Sequence, residues 1–258
     1  MDQTDNPYAS PAEPEPGDAL ATDLAELPPA KPYASARTRA VWAIMFLAAI
    51  LAGSIVSGVS DYLQIELLQR MENGDFTTEE THWNDSRQQL IGFVLIVASI
   101  GSMISFLMWF HRAHRNLRSL GATELRFSPG WAVGWWFIPI FNLFRPFQVM
   151  REIWRNSVPT TVVPVEDTWQ RPTGSALVGW WWALFLVMNW SNRVVMRITD
   201  RATSIEELAV ASWLGLASAL LIVLAALLAI LVVYRVTANQ EKRFRLLMEG
   251  GERDAAQL

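Results

Sequence analysis

Four stretches of this chain run for twenty residues or more without a charged side chain: Ala40–Val59, Leu90–Phe110, Thr173–Asn192 and Leu208–Tyr234. A helix rises ~1.5 Å per residue, so about twenty residues cross the ~30 Å hydrocarbon core of a bilayer. A helix that is apolar on every face has no place on the surface of a water-soluble fold. In hydrocarbon each backbone amide must be satisfied internally, which for single runs of this length means a helix. The chain is therefore expected to be an all-α integral membrane protein. Composition agrees where it bears on the point: 18% of the residues are charged, against about a quarter in soluble domains, and the shortfall lies in those four runs.

Three regions are expected. Residues 1–38 read as a disordered tail, with seven prolines, seven acids and no apolar run to bury. It lacks the basic start and apolar core of a signal peptide. Residues 39–248 form the helical membrane domain, and 249–258 a flexible C-terminal tail. Ala49, Gly53 and Ser57 put small side chains on one stripe of the first span, and Ala211, Gly215 and Ala219 do so on the last. Such stripes let helices approach closely, within one chain or between copies. The first helix should continue past Asp61 with Tyr62, Ile65 and Leu68 on one side until Asn73-Gly74, and 75–89 should be a polar, acidic loop. Gly121 should end the second helix. Ser204 and Glu207 form a capping box ahead of the last, and Gly250-Gly251 should close it.

One segment departs from this regularity. Ser128-Pro129 reads as an N-cap followed by proline at the first helical position. The apolar run Trp131–Phe144 is too short for a comfortable crossing. Pro139 removes a backbone donor in its middle, and Asn142, Arg145 and Pro146 follow. Pro146 then opens an amphipathic helix with Phe147, Met150 and Ile153/Trp154 on one face, ended by Pro159 and Pro164. The expectation is four transmembrane helices plus a short Pro-broken re-entrant or interfacial helix; the alternative is five full spans. Arginine and lysine near spans favour the cytoplasm. Residues 61–89 hold only Arg70 and Arg87 among seven acids and belong outside, whereas 111–126 is strongly basic and belongs inside. Both termini then lie in the cytoplasm. Arg193, Arg197 and Arg201 are left in an external loop, but a returning break places more basic residues correctly than a crossing one.

The most specific pattern runs from Trp109 to Trp154: Trp109, Arg112, Arg115 and Asn116, then Ser128-Pro129-Gly130, Trp135-Trp136, Pro139, Asn142, Arg145-Pro146, Arg151 and Glu152. This resembles the domain-of-unknown-function 4328 family of bacterial membrane proteins, extending loosely from the first span to about Gln240. Phe147 stands where tyrosine is more usual. The resemblance implies a multi-pass protein of the bacterial inner membrane and a region of interest, but no activity.

Those same residues are the candidate site. Asn142 should donate to carbonyls freed by Pro139, and Glu152 should pair with Arg112 or Arg115. Trp135-Trp136 and Trp180-Trp181-Trp182 should pack around the break, while Trp42, Trp109, Trp131, Trp190 and Trp213 form interfacial belts. Catalysis finds no support: the chain has no cysteine and no hydrolase, metalloprotease or phosphate-loop motif. His111 and His114, without a thiolate or nearby carboxylate, make a poor metal site and read as interfacial histidines. No cofactor and no nucleic-acid partner are implied. The expected partners are the bilayer and, through the arginines, anionic lipid headgroups at the cytoplasmic face. The reading is a non-enzymatic scaffold, sensor or accessory subunit; the alternative is a small-solute or lipid transporter or channel gated by 131–146.

Overall fold

The structure, a computed structural model, describes residues 32–159 and 175–255. The expectations for the first thirty-one residues and for Pro164 lie outside the described residues. Among the described residues there are helices, turns and no strand. In chain order the helices are α1 (Arg37–Glu72), α2 (Thr78–Ser119), α3 (Pro129–Gly134), α4 (Arg145–Ser157), α5 (Ser175–Thr199) and α6 (Ile205–Ala255), with 3-10 turns at Trp135–Phe137 and Phe141–Leu143.

Three of these, α1, α2 and α6, are long and apolar enough to cross a membrane. Their outward faces carry large apolar side chains, among them Ile55, Val59, Phe93, Ile100, Leu220 and Leu224, each half exposed or more. Apolar surface so extensive is stable against lipid and not against water. α1 packs along both α2 and α6, and α5 packs along α6. Close approach is built from small residues. A Cβ on Gly101 of α2 would fall 2.3 Å from the Phe46 ring of α1, and one on Gly58 of α1 would fall 3.3 Å from Leu216 of α6. Of the two small-residue stripes, Ala211 and Ala219 are buried inside the bundle while Ala49 is exposed. The second stripe is therefore spent on contacts within the chain.

Helix ends follow local chemistry. α1 stops at Asn73-Gly74, where Gly74 takes a left-handed φ of 73°, and α2 is followed by Gly121 at 83°. The expected 75–89 loop is a correction: α2 begins at Thr78. The Thr77 hydroxyl accepts from Glu80 N at 3.2 Å, and Glu80 Oε2 accepts from Thr77 N at 2.9 Å. That capping box, plus an ion pair from Arg70 to Glu80 at 2.7 Å, turns an acidic stretch into three extra turns of helix. α6 also overruns its expected end, passing through Gly250-Gly251 to Ala255. The long stretch of helix from Ile205 to Glu249 that precedes them lets the two glycines be tolerated there. At its other end the Ser204 hydroxyl accepts from Glu207 N at 3.2 Å, and the Glu207 carboxylate reaches back to accept from Thr203 N at 2.7 Å as well as from the Ser204 backbone.

Tyr33 and Ser35, assigned to the tail by composition, dock on α6. The Tyr33 ring stacks on Phe244 at 4.2 Å, and both hydroxyls donate to Glu241. Burial, reinforced by the Glu241 charge, pushes the Tyr33 hydroxyl above its ordinary range.

Candidate functional site

The basic end of α2 meets α4, the far half of α6 and the start of α1 in a junction where polar groups are buried beside apolar ones. Trp109, Phe110, Leu117, Met150, Ile153, Val233 and Val236 supply the apolar part. His114, Ser157 and Gln240 are 0% exposed within it. Groups so buried must pair, and each does at least in part.

His114 Nε2 lies 2.9 Å from Glu152 Oε1, and Glu152 Oε2 accepts from the Arg126 backbone N–H at 2.8 Å. A carboxylate only accepts, so the imidazole proton sits on Nε2. Gln240 donates to Ala113 O at 2.8 Å and to Ser157 Oγ at 3.1 Å, and accepts from Asn116 at 3.4 Å. Asn116 also donates to Ala34 O at 2.9 Å, tying the residues before α1 to the junction. Trp109 Nε1 donates to Thr237 Oγ1 at 2.9 Å. Three helices and the α1 leader are thereby fixed to one another by side-chain hydrogen bonds.

Two expectations fall here. Glu152 pairs with His114, not with Arg112 or Arg115, because the i, i+3 face that meets α4 carries His114 and Leu117 while the arginines sit on its flank. His114 is a buried partner and not an interfacial histidine. Trp109 likewise lies in the core, although Trp42, Trp131, Trp190 and Trp213 are all more than half exposed as belt residues would be. Among the described residues the ion pairs are Arg70–Glu80 and His114–Glu152, so no carboxylate of those residues pairs with Arg112, Arg115 or Arg151. Arg151 instead lies over the Phe147 ring at 5.6 Å.

The break is held by aromatics. Ser128 caps α3 through Trp131 N at 3.4 Å, with Pro129 in the first turn; Gly130 stands in open space and Pro139 is exposed. Trp136 meets Phe106, Phe110, Trp182 and Phe185 edge-on at 5.7–5.9 Å. Trp180 points away and is 68% exposed. The Arg145 guanidinium lies 5.3 Å from the Trp135 ring and 5.8 Å from those of Phe127, Phe141 and Phe144, and donates to Gln148 at 3.1 Å. Asn142 does not play its expected part. Its Oδ1 is buried without a partner, and the Leu143 carbonyl is satisfied by Trp182 Nε1 at 3.1 Å. Asn142 N itself donates to Ile138 O at 2.8 Å, one helical turn that bridges Pro139. Pro146, at the start of α4, is buried against the junction.

Sequence reasoning misread His114 and missed Ser157, Thr237 and Gln240. No local signal marked the last two, which lie in the basic end of α6 and read there as a solvated face. The same reasoning also missed a cavity of about 440 Å³ at the opposite end of the bundle, walled by polar residues of α1, α2, α5 and α6, Asp61, Gln64, Gln88 and Asn192 among them.

Long apolar helices with lipid-compatible faces, pinned at one end by a buried polar network, define an all-helical protein with the features of a membrane protein. More particularly, the chain belongs to the DUF4328 family: the model of that domain of unknown function matches residues 72–238. The match begins at Glu72, so α1 precedes it, later than the resemblance alone implied. No curated protein and no solved structure matches the chain.

Proposed function

We propose that this protein is a non-enzymatic scaffold or accessory subunit of the bacterial inner membrane, crossing it four times with both termini in the cytoplasm. The observation that carries the reading is the contact of Arg126 N with Glu152 Oε2 at 2.8 Å. Residues on either side of the break touch, so the chain leaves and re-enters at the same end of α2, and α3 with its 3-10 turns is a returning element. α5, about 37 Å long at its 25 residues, lies along α6 and is the fourth crossing. The basic end then faces inward, as the loop charges favour. Arg112, Arg115 and Arg151, without carboxylate partners among the described residues, are matched by anionic lipid headgroups at that face.

A junction of packed apolar groups and mutually satisfied amides has one arrangement and resists rocking. That supports a rigid platform over a gate at 131–146, and the cavity wall includes neither Pro139 nor Asn142. The test uses the absence of native cysteine. Spin labels at Arg118→Cys on α2 and Arg155→Cys on α4, both exposed, should give a single narrow distance distribution in detergent and in liposomes. Two populations whose ratio changes between the environments would favour the transporter.

A further inference from the structure

In the wall of the cavity at the far end of the bundle, Asp61 of α1 lies against Gly215 of α6. A Cβ on Gly215 would lie 2.9 Å from Asp61 Oδ2, so the carboxylate fills the space that a side chain would take. Asp61 accepts one long hydrogen bond, from Gln88 Nε2 at 3.4 Å, and has no ion pair among the described residues. Arg87, the nearest cation along α2, is turned elsewhere: its Nε donates to Ser60 Oγ at 2.9 Å and its NH2 to Asn84 Oδ1 at 2.7 Å. Gln64 is also engaged, accepting from Gln88 at 2.6 Å and donating to Ser212 at 3.1 Å.

Two serines on the same wall are different. Ser54 is 1% exposed and Ser218 3%, both line the cavity, and neither hydroxyl has a hydrogen-bond partner. A helical serine facing apolar surroundings ordinarily turns its hydroxyl back to the carbonyl four residues earlier, as Ser105 and Ser212 do here. These two have no such partner, although both residues line the cavity. The wall thus offers an acceptor charge at Asp61 and unpaired hydroxyls about two turns away along α1 and one turn beyond Gly215 along α6. Asp85 adds a second acid, and no lysine or arginine lines the cavity, Arg87 acting on Asp61 only from outside that wall. At about 440 Å³ the space holds roughly fifteen waters' volume, too open to close a coordination shell on a bare ion and within the size of small-molecule sites. Its lining has no aromatic ring, which disfavours a quaternary ammonium.

We propose that this cavity binds a small organic solute carrying a primary ammonium group, with Asp61 as the counter-charge and Ser54 and Ser218 as hydrogen-bond partners for its uncharged part. The site lies at the end of the bundle away from α4, so it stands apart from the platform reading and adds a ligand to it. An ammonium supplies the N–H donors that an under-used carboxylate lacks, and a charge-assisted bond of this kind separates a cation from its neutral isostere by about tenfold.

The test is calorimetry on the full chain in nanodiscs, with putrescine and ethanolamine against their uncharged isosteres 1,4-butanediol and ethylene glycol. The amines should bind saturably and about tenfold more tightly than the diols. Asp61→Asn should remove that preference. Gln88→Lys, which sets a tethered ammonium beside Asp61, should block amine binding even if Asp61→Asn proves too unstable to assay. Ser218→Ala should weaken amine and diol alike. A cavity that holds only water gives no saturable amine binding, and that result overturns the proposal. So does equal affinity for amine and diol, or amine binding unchanged in Asp61→Asn or in Gln88→Lys.

Discussion

Replacing Glu152 by leucine tests the junction at its most connected point. Glu152 accepts from His114 Nε2 at 2.9 Å and from Arg126 N at 2.8 Å. Leucine keeps most of the volume and removes both acceptors. His114 is 0% exposed and its Nδ1 already lacks a partner, so the substitution leaves an imidazole with no hydrogen bond in a site water cannot reach. An orphaned buried polar group costs about 1–3 kcal/mol, and the lost bond at the more exposed Arg126 adds about 1 kcal/mol. Apolar gain from the leucine returns part of this, since Glu152 is itself largely shielded, so the expected net loss is about 2–3 kcal/mol. Glu152→Gln, which can still accept from His114, should lose about 1 kcal/mol. Reversible unfolding in mixed micelles is readily followed by tryptophan fluorescence, because Trp109 is buried at the junction. A change below about 0.5 kcal/mol for Glu152→Leu would refute the idea that this pair fixes α4 to α2.

Further consequences are as direct. Trp182→Phe should destabilise by about 1–2 kcal/mol through the unpaired Leu143 carbonyl, whereas Asn142→Leu should leave stability unchanged or raise it; both are read by the same unfolding assay. Gly101→Ala, whose methyl would meet the Phe46 ring at 2.3 Å, should cost about 1–3 kcal/mol by overpacking, seen as a lowered melting point in detergent. Glu80, exposed ahead of the apolar part of α2, is held below its ordinary range by its bonds to Arg70 and Thr77. Its contribution is therefore complete above the unfolded carboxyl value of 4.5 and lost as pH falls through the lower folded value. Hydrogen exchange of the first α2 turn should rise in that acid window in the native chain and be already raised at neutral pH in Glu80→Gln.

Much of the architecture is legible because bilayer physics acts on single runs of sequence. Uncharged length marks the long helices, Asn73-Gly74 and Gly121 mark two of their ends, and Ser128-Pro129 marks the start of α3. The errors share a cause. The 75–89 stretch looks like a loop by charge density, yet Thr77 and Glu80 cap it and Asn84, Arg87 and Gln88 bond across to α1 or within α2. The break looks as though Asn142 must satisfy it, but the donor comes from Trp182, thirty-nine residues away in sequence. Partners chosen by tertiary contact leave no local trace. The same holds for Glu152 and His114, separated by thirty-eight positions, and for Gln240, which looks like the surface of a basic amphipathic end until α4 covers it. The far cavity was hidden for a different reason: Asp61 and Gln88 sit just beyond the uncharged runs and read as boundary residues when each helix is taken alone.

The returning break and four crossings are tested most directly by single-cysteine labelling in intact cells with an impermeant maleimide. Thr78→Cys should be labelled at once. Gly121→Cys, Thr161→Cys and Gln257→Cys should react only after the membrane is permeabilised. Labelling of Thr161→Cys in sealed cells, with Gly121→Cys still protected, would mean that 131–144 crosses the bilayer and would contradict the account.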